Sequence, residues 1–253
     1  MEAGLNLYSI HNLIKTEEDF LKTACELKEM GYSYMQFSGA THSAEVIARV
    51  VKESGMPVVL THMPITRIIE DTDKLMEEHA LFGCKNIGLG AIVPFSIIAE
   101  LDAFKKKVEE LNIAGEKMQK NGFKFFYHHH HFEFFNIGGE TALDYMIKNA
   151  PYINFTVDTY WLQYGGVNVQ EYIKKLAGRI ECVHFKDYGI AYKEGKFEPT
   201  FVPVGDGNID FVSLLPTVKE AGAKYILVEQ DNAATMADSI GQVKRSIDYL
   251  KTI

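Results

Sequence analysis

The sequence predicts a single-domain (β/α)8 barrel, on three observations. Eight short runs rich in apolar, β-branched and aromatic residues recur, at residues 4–10, 32–38, 57–62, 85–90, 123–128, 153–158, 180–185 and 225–229. Amphipathic stretches with helix signals lie between them. Eight such units in 253 residues match the usual size of this barrel, and no Pro/Gly/Ser-rich linker or shift of composition divides the chain. Most of the runs are continuously apolar, as parallel strands buried on both faces are. A doubly wound parallel sheet shares the local pattern. Its nucleotide-binding forms lack support, because no GxGxxG follows a strand and no GxxxxGK precedes a Ser or Thr.

Each element carries its own signal. After the first run, Thr16 with Asp19 three residues on forms a variant capping box; Phe20, Ala24 and Leu27 mark the buried face, and Gly31 ends the helix. The runs at 32–38, 57–62 and 85–90 follow. A long helix is predicted over 96–120, with Phe104, Val108, Leu111 and Met118 on one stripe, and Asn121-Gly122 stops it. After the run at 180–185, the stretch 205–210 shapes a loop, and Asp210 caps the helix that opens with Phe211. The last helix, over 237–250, places Ile240, Val243, Ile247 and Leu250 on one face.

Composition narrows the classes. A hydrophobic fraction of 47% and a charged fraction of 24% describe a soluble globular chain and exclude disordered or low-complexity scaffolds. With 26 Lys and Arg against 34 Asp and Glu, the net charge of −8 argues against general affinity for nucleic acid. Cys25, Cys84 and Cys182 are scattered and odd in number, so neither a disulfide framework nor a structural zinc site is expected. The expected compartment is the reducing cytoplasm, with no signal peptide and no apolar run of membrane-spanning length. A homo-oligomer is compatible with all of this.

The strand ends point to chemistry. The third run ends at His62, and the fifth enters Tyr127-His128-His129-His130-His131-Phe132-Glu133. The sixth ends at Asp158, the seventh reaches His184 before Lys186 and Asp187, and the eighth ends at Glu229. In a barrel these ends share one rim, where catalytic residues sit. A single Asp or Glu there more often caps a helix, and a single His is more often structural. Ionisable groups ending several strands are harder to dismiss. Asp158, His184 and Glu229 form the expected metal site, and carboxylates with an imidazole favour zinc, manganese, cobalt or magnesium over copper.

Together these motifs resemble the sugar phosphate isomerase/epimerase family, the xylose isomerase-like TIM barrels that include inosose dehydratase and endonuclease IV. The resemblance spans essentially the whole chain. It rests on the stretch from Tyr127 to Phe134, similar to YHNHxxEF; on Val157-Asp158-Thr159; on Val183-His184-Phe185-Lys186-Asp187; on Gly205-Asp206-Gly207-Asn208-Ile209-Asp210-Phe211, similar to GxGxIDF; and on Val228-Glu229. It implies one divalent ion held by Asp158, His184 and Glu229 with a fourth ligand from strand five. Where many members end that strand with Glu, this chain has His128, and Glu133 lies five residues later. Glu133 is the expected ligand, as a further carboxylate suiting a hard ion, and His128 the alternative.

The implied chemistry is proton transfer α to a carbonyl through an enediolate, giving isomerisation or epimerisation of a small sugar, keto-sugar or polyol derivative. The dehydratase members expel a β-hydroxyl from the same site. Glu229, Glu133 and His130 are the expected proton-transfer groups. His62, His128, Lys186 and Trp161 are the expected substrate contacts, with Tyr160 and Phe37 as further apolar faces. Lys186 has a plainer alternative in a surface ion pair with Asp187. Few cations lie near the rim, which favours an unphosphorylated substrate. A nuclease lacks its basic groove here. A sugar-binding barrel without catalysis is the remaining class, kept open by the substitution at His128.

Overall fold

The computed structural model describes residues 2–253. Eight parallel strands close into a barrel: Gly4–Asn6, Tyr34–Phe37, Val58–His62, Asn86–Leu89, Lys124–His128, Ile153–Asp158, Cys182–Phe185 and Tyr225–Val228. Each pairs with its neighbours in chain order, and the eighth pairs with the first through Leu227 and Gly4. The closed ring decides between the two folds that the local pattern allows.

The capping signals hold. Thr16 accepts from the Asp19 N–H at the start of the helix Glu17–Met30, and Gly31 ends it in the left-handed region at φ 103°. Asp210 accepts from the Ser213 N–H. The long helix is shorter than its apolar stripe suggested. Residues Phe95–Ala99 form a 3-10 turn, Glu100 is extended, and the α-helix runs Leu101–Lys120. The first strand is also shorter than its apolar run. Asn6 turns its side chain back to accept from the Tyr8 N–H and opens a 3-10 segment over Leu7–Leu13.

Two layers of core surround the strands. One lies between strands and helices and includes Leu5, Met35, Phe125, Phe155, Val183 and Val228. The other fills the barrel and includes Tyr34, Leu60, Phe126, Cys182 and Leu227. Alternation along a strand then dictates what stands above that inner layer. Two residues beyond Tyr34, Leu60, Phe126, Cys182 and Leu227 come Gln36, His62, His128, His184 and Glu229. The polar strand ends therefore point inward at the C-terminal mouth of the barrel.

One unexpected element follows strand seven. Residues Asp187–Lys193 and Lys196–Val202 form an antiparallel hairpin, paired from Asp187 with Val202 to Lys193 with Lys196. No described helix is long and apolar enough to cross a membrane.

Candidate metal and substrate site

His128, Asp158, His184 and Glu229 converge at the mouth, each offering a ligand atom, with these atoms within 4.8 Å of one another. All four residues are buried. In each, one atom is anchored while another faces the common centre. Asp158 accepts from the Trp161 N–H at Oδ1, 3.1 Å away, capping the following helix. Its Oδ2 lies 3.2 Å from His128 Nε2 and 3.7 Å from His184 Nδ1. Glu229 accepts from Asn6 Nδ2 at Oε1, 2.6 Å away, and turns Oε2 to within 2.8 Å of His184 Nδ1. His128 Nδ1 lies 3.0 Å from the Gly90 carbonyl, and His184 Nε2 lies 2.7 Å from Gln36 Oε1.

This arrangement fits one divalent ion. Ligands held from behind by carbonyl, amide or backbone partners are the usual outer support of a metal site. His184 Nδ1 lies close to Glu229 Oε2 yet makes no hydrogen bond of proper geometry, as two ligand atoms facing one point would. Two imidazole nitrogens and two carboxylate oxygens suit zinc, manganese or cobalt better than magnesium, which prefers oxygen. Without an ion, burial opposes a charge on His184, but Glu229 and Asp158 outweigh it and raise its pKa to about 9.

The structure corrects the expectation for Glu133. Its carboxylate lies outside the cluster and is fully buried. Oε1 accepts from the Tyr127 hydroxyl at 2.5 Å, and Oε2 accepts from the His130 N–H at 2.8 Å. Burial pushes its pKa up to about 7, against both hydrogen bonds. The chain turns into a 3-10 helix over Phe132–Phe134 directly after the histidines, which carries Glu133 behind the strand end. Glu133 braces the loop that carries His130, and His128 takes the inward position at the end of strand five. His128→Gln is accordingly expected to weaken divalent-ion binding by at least about 10-fold, and Glu133→Gln to weaken it less. Calorimetric titration of both variants checks the order, and the reverse order would return Glu133 to the metal.

The other expected residues surround the cluster. His62 sets its ring 5.3 Å from that of His128 and 5.8 Å from that of His184, with Nε2 buried and unpartnered. His130 lies edge-on to His128 at 4.6 Å, stacks on Phe132 and leaves Nδ1 unpartnered. Trp161 lies 5.1 Å from His130, and its Nε1 is also unpartnered. A polyhydroxylated ligand is the kind of molecule that would satisfy such groups. Phe37 lines a neighbouring groove with Gly39, Met63 and Pro64, and His62 stands on its wall.

Lys186 does not pair with Asp187. Its fully buried ammonium lies 2.6 Å from Asp231, 3.3 Å from Glu229 and 3.5 Å from Asp158. Burial alone would lower its pKa, but these carboxylates hold it above the ordinary value. Asp187 instead accepts from the N–H groups of Tyr188, Gly205, Gly207 and Ile209, tying the hairpin to the 205–210 loop. Sequence reasoning passed over Asn6, Gln36, Asp231 and Phe201. The first two share the inward register of the ligands, which is the signal that would have found them. Phe201 arrives on the hairpin, 5.7 Å from the Trp161 ring.

Fold and site together define a barrel enzyme with a four-residue cluster at its mouth that can hold a divalent ion. The chain belongs to the xylose isomerase-like TIM barrel family, whose model matches residues 25–253. An inosose dehydratase of Clostridium perfringens strain 13 is 24% identical over 279 residues, covering 98% of this chain and 86% of that protein. A sugar phosphate isomerase/epimerase of Parabacteroides distasonis ATCC 8503 shares the fold at a TM-score of 0.80 and 20% identity, covering 99% of this chain and 93% of that one. A D-allulose 3-epimerase of a Methylomonas species does so at 0.69 and 13%, covering 100% and 97%.

Proposed function

We propose that the protein is a metal-dependent lyase acting on a small keto-sugar or keto-polyol, removing the proton α to the carbonyl and then expelling a β-hydroxyl as water. The observation that supports this reading is the cluster of His128, Asp158, His184 and Glu229, in which both carboxylates face the common centre where an ion would sit and Glu133 is turned away. A pair of free carboxylates for giving and returning a proton is then lacking: besides imidazoles and an ammonium, the one carboxylate left at the mouth is Asp231, ion-paired with Lys186. The C. perfringens dehydratase, aligned along 98% of this chain, supports the same outcome.

A divalent ion bound by the four residues would polarise the substrate carbonyl and ease loss of the neighbouring proton. The chain's own groups do the rest. His130 takes the α-proton at its unpartnered Nδ1. The Lys186 ammonium faces the negative charge that gathers on the enediolate. Trp161 Nε1 and His62 Nε2 hold substrate hydroxyls. The C–O bond to the β-carbon then breaks as the enediolate electrons form the new double bond. The departing hydroxyl takes the proton that His130 removed and leaves as water, which returns His130 to its neutral form. Isomerisation or epimerisation is the second reading. It draws on the same first step and on His62, which flanks the cluster and has a free nitrogen to return a proton.

Mass spectrometry in deuterated water, over a panel of ketoses and keto-polyols, tests the proposal. The metal-loaded protein is expected to yield a product lighter by one water. Unchanged mass with deuterium next to the carbonyl would favour the second reading, and a panel with neither change would overturn both.

A further inference from the structure

We propose that Lys186 is the protein's own counter-cation for the metal carboxylates, and that it thereby sets how tightly the site takes up a divalent ion. The inference rests on the four-residue metal site and goes beyond it, because it assigns a role to a residue that binds no metal. Lys186 Nζ lies 3.3 Å from Glu229 Oε2 and 3.5 Å from Asp158 Oδ2. These are the two oxygens that face His184. Ammonium and ion therefore draw on the same pair of atoms.

Lys186 is held where it is. Its ammonium lies 5.0 Å from the centre of the Trp161 ring and 5.1 Å from that of Phe201, an aromatic sleeve completed by the hairpin. Its closest partner is Asp231, at 2.6 Å. Three carboxylates share this buried region, and one ammonium plus one divalent ion would neutralise them. Buried charge is tolerated when it is paired. With an ion in place, Lys186 is left to Asp231. Without one, it holds Glu229 and Asp158, which would otherwise repel each other in a site of low polarity.

The sign of one measurement separates this role from a merely structural one. Damage to the site weakens metal binding, whereas removal of a competing positive charge a few ångströms away tightens it. Lys186→Met keeps the stem between Trp161 and Phe201 and removes the charge. Titration of the full-length variant with manganese or zinc, in a chelator-buffered series, is expected to give a Kd at least about 10-fold lower than wild type. Its metal-free Tm falls, and the rise in Tm on adding metal is larger. Asp231→Asn frees Lys186 to press on Glu229 and Asp158 and is expected to weaken binding several-fold. Should Lys186→Met fail to fold without metal, Lys186→Met combined with Asp231→Asn removes the carboxylate left unpaired. It should still bind more tightly than wild type, because the ammonium stands 3.3 Å and 3.5 Å from two of the ligand oxygens, whereas Asp231 is not part of the cluster.

A folded Lys186→Met that binds metal no more tightly than wild type overturns the inference and leaves the metal site standing. A wild-type protein that takes up neither metal overturns the inference together with the site it rests on.

Discussion

His184→Ala is expected to lower divalent-ion affinity by at least about 100-fold, beyond the loss that follows removal of a ligand's supporting partner. His184 is the hub of the cluster, with Nδ1 2.8 Å from Glu229 Oε2 and 3.7 Å from Asp158 Oδ2. Its ring points into the barrel mouth, while Val183 and Phe185 on either side carry the packing against the helices. The barrel should therefore survive the change. Metal content per chain measured by elemental analysis, beside a cooperative thermal unfolding curve, checks this. About one ion per wild-type chain and almost none in the variant are expected. A folded variant with undiminished metal would sink the site assignment.

Glu229→Gln is expected to cost at least about 10²-fold in turnover, and the loss should persist at saturating metal. The substitution keeps the shape and removes a charge that three neighbours use. Asn6 donates to one oxygen; His184 and Lys186 approach the other. A carboxamide must turn its NH2 toward one of these donors, which leaves a buried mismatch. The carboxylate is held well below the usual range: Lys186 and His184 outweigh the burial that would raise it. With both oxygens engaged by Asn6, His184 and Lys186, the proposed mechanism uses Glu229 as ligand and electrostatic anchor and gives proton transfer to His130. Wild-type rates of solvent-deuterium exchange in the metal-loaded variant would show that its charge is dispensable.

The strand-five region shows where sequence reasoning stops. The residues between Tyr127 and Phe134 were legible as a site motif, with Glu133 as the expected ligand and His128 as the alternative. Which of His128 and Glu133 reaches the centre depends on the turn after the strand. That turn sends Glu133 to the Tyr127 hydroxyl and the His130 N–H. His129, next to His128, points the other way and accepts from the Asp158 N–H, so it joins the tops of strands five and six. The hairpin after strand seven escaped notice because its stretch, residues 187–202, mixes exposed aromatic and charged residues and has no helix–strand period to read.

Two facts were decided by the sequence alone. Eight apolar runs of strand length, separated by capped amphipathic helices, can bury their faces together by closing into one barrel. Asp158, His184 and Glu229 then fall at strand ends, on one rim. The tertiary structure decided the rest: that His128 completes the cluster, that Asn6 and Gln36 from strands one and two hold two ligands from behind, and that Lys186 turns from its neighbour Asp187 to Asp231 across the mouth. The reason is one of range. Periodicity and capping act over a few residues and are written in local order. A buried charge instead takes whichever partners closure of the barrel brings within about 4 Å, and for Glu229 that partner is Asn6, 223 residues away in the chain.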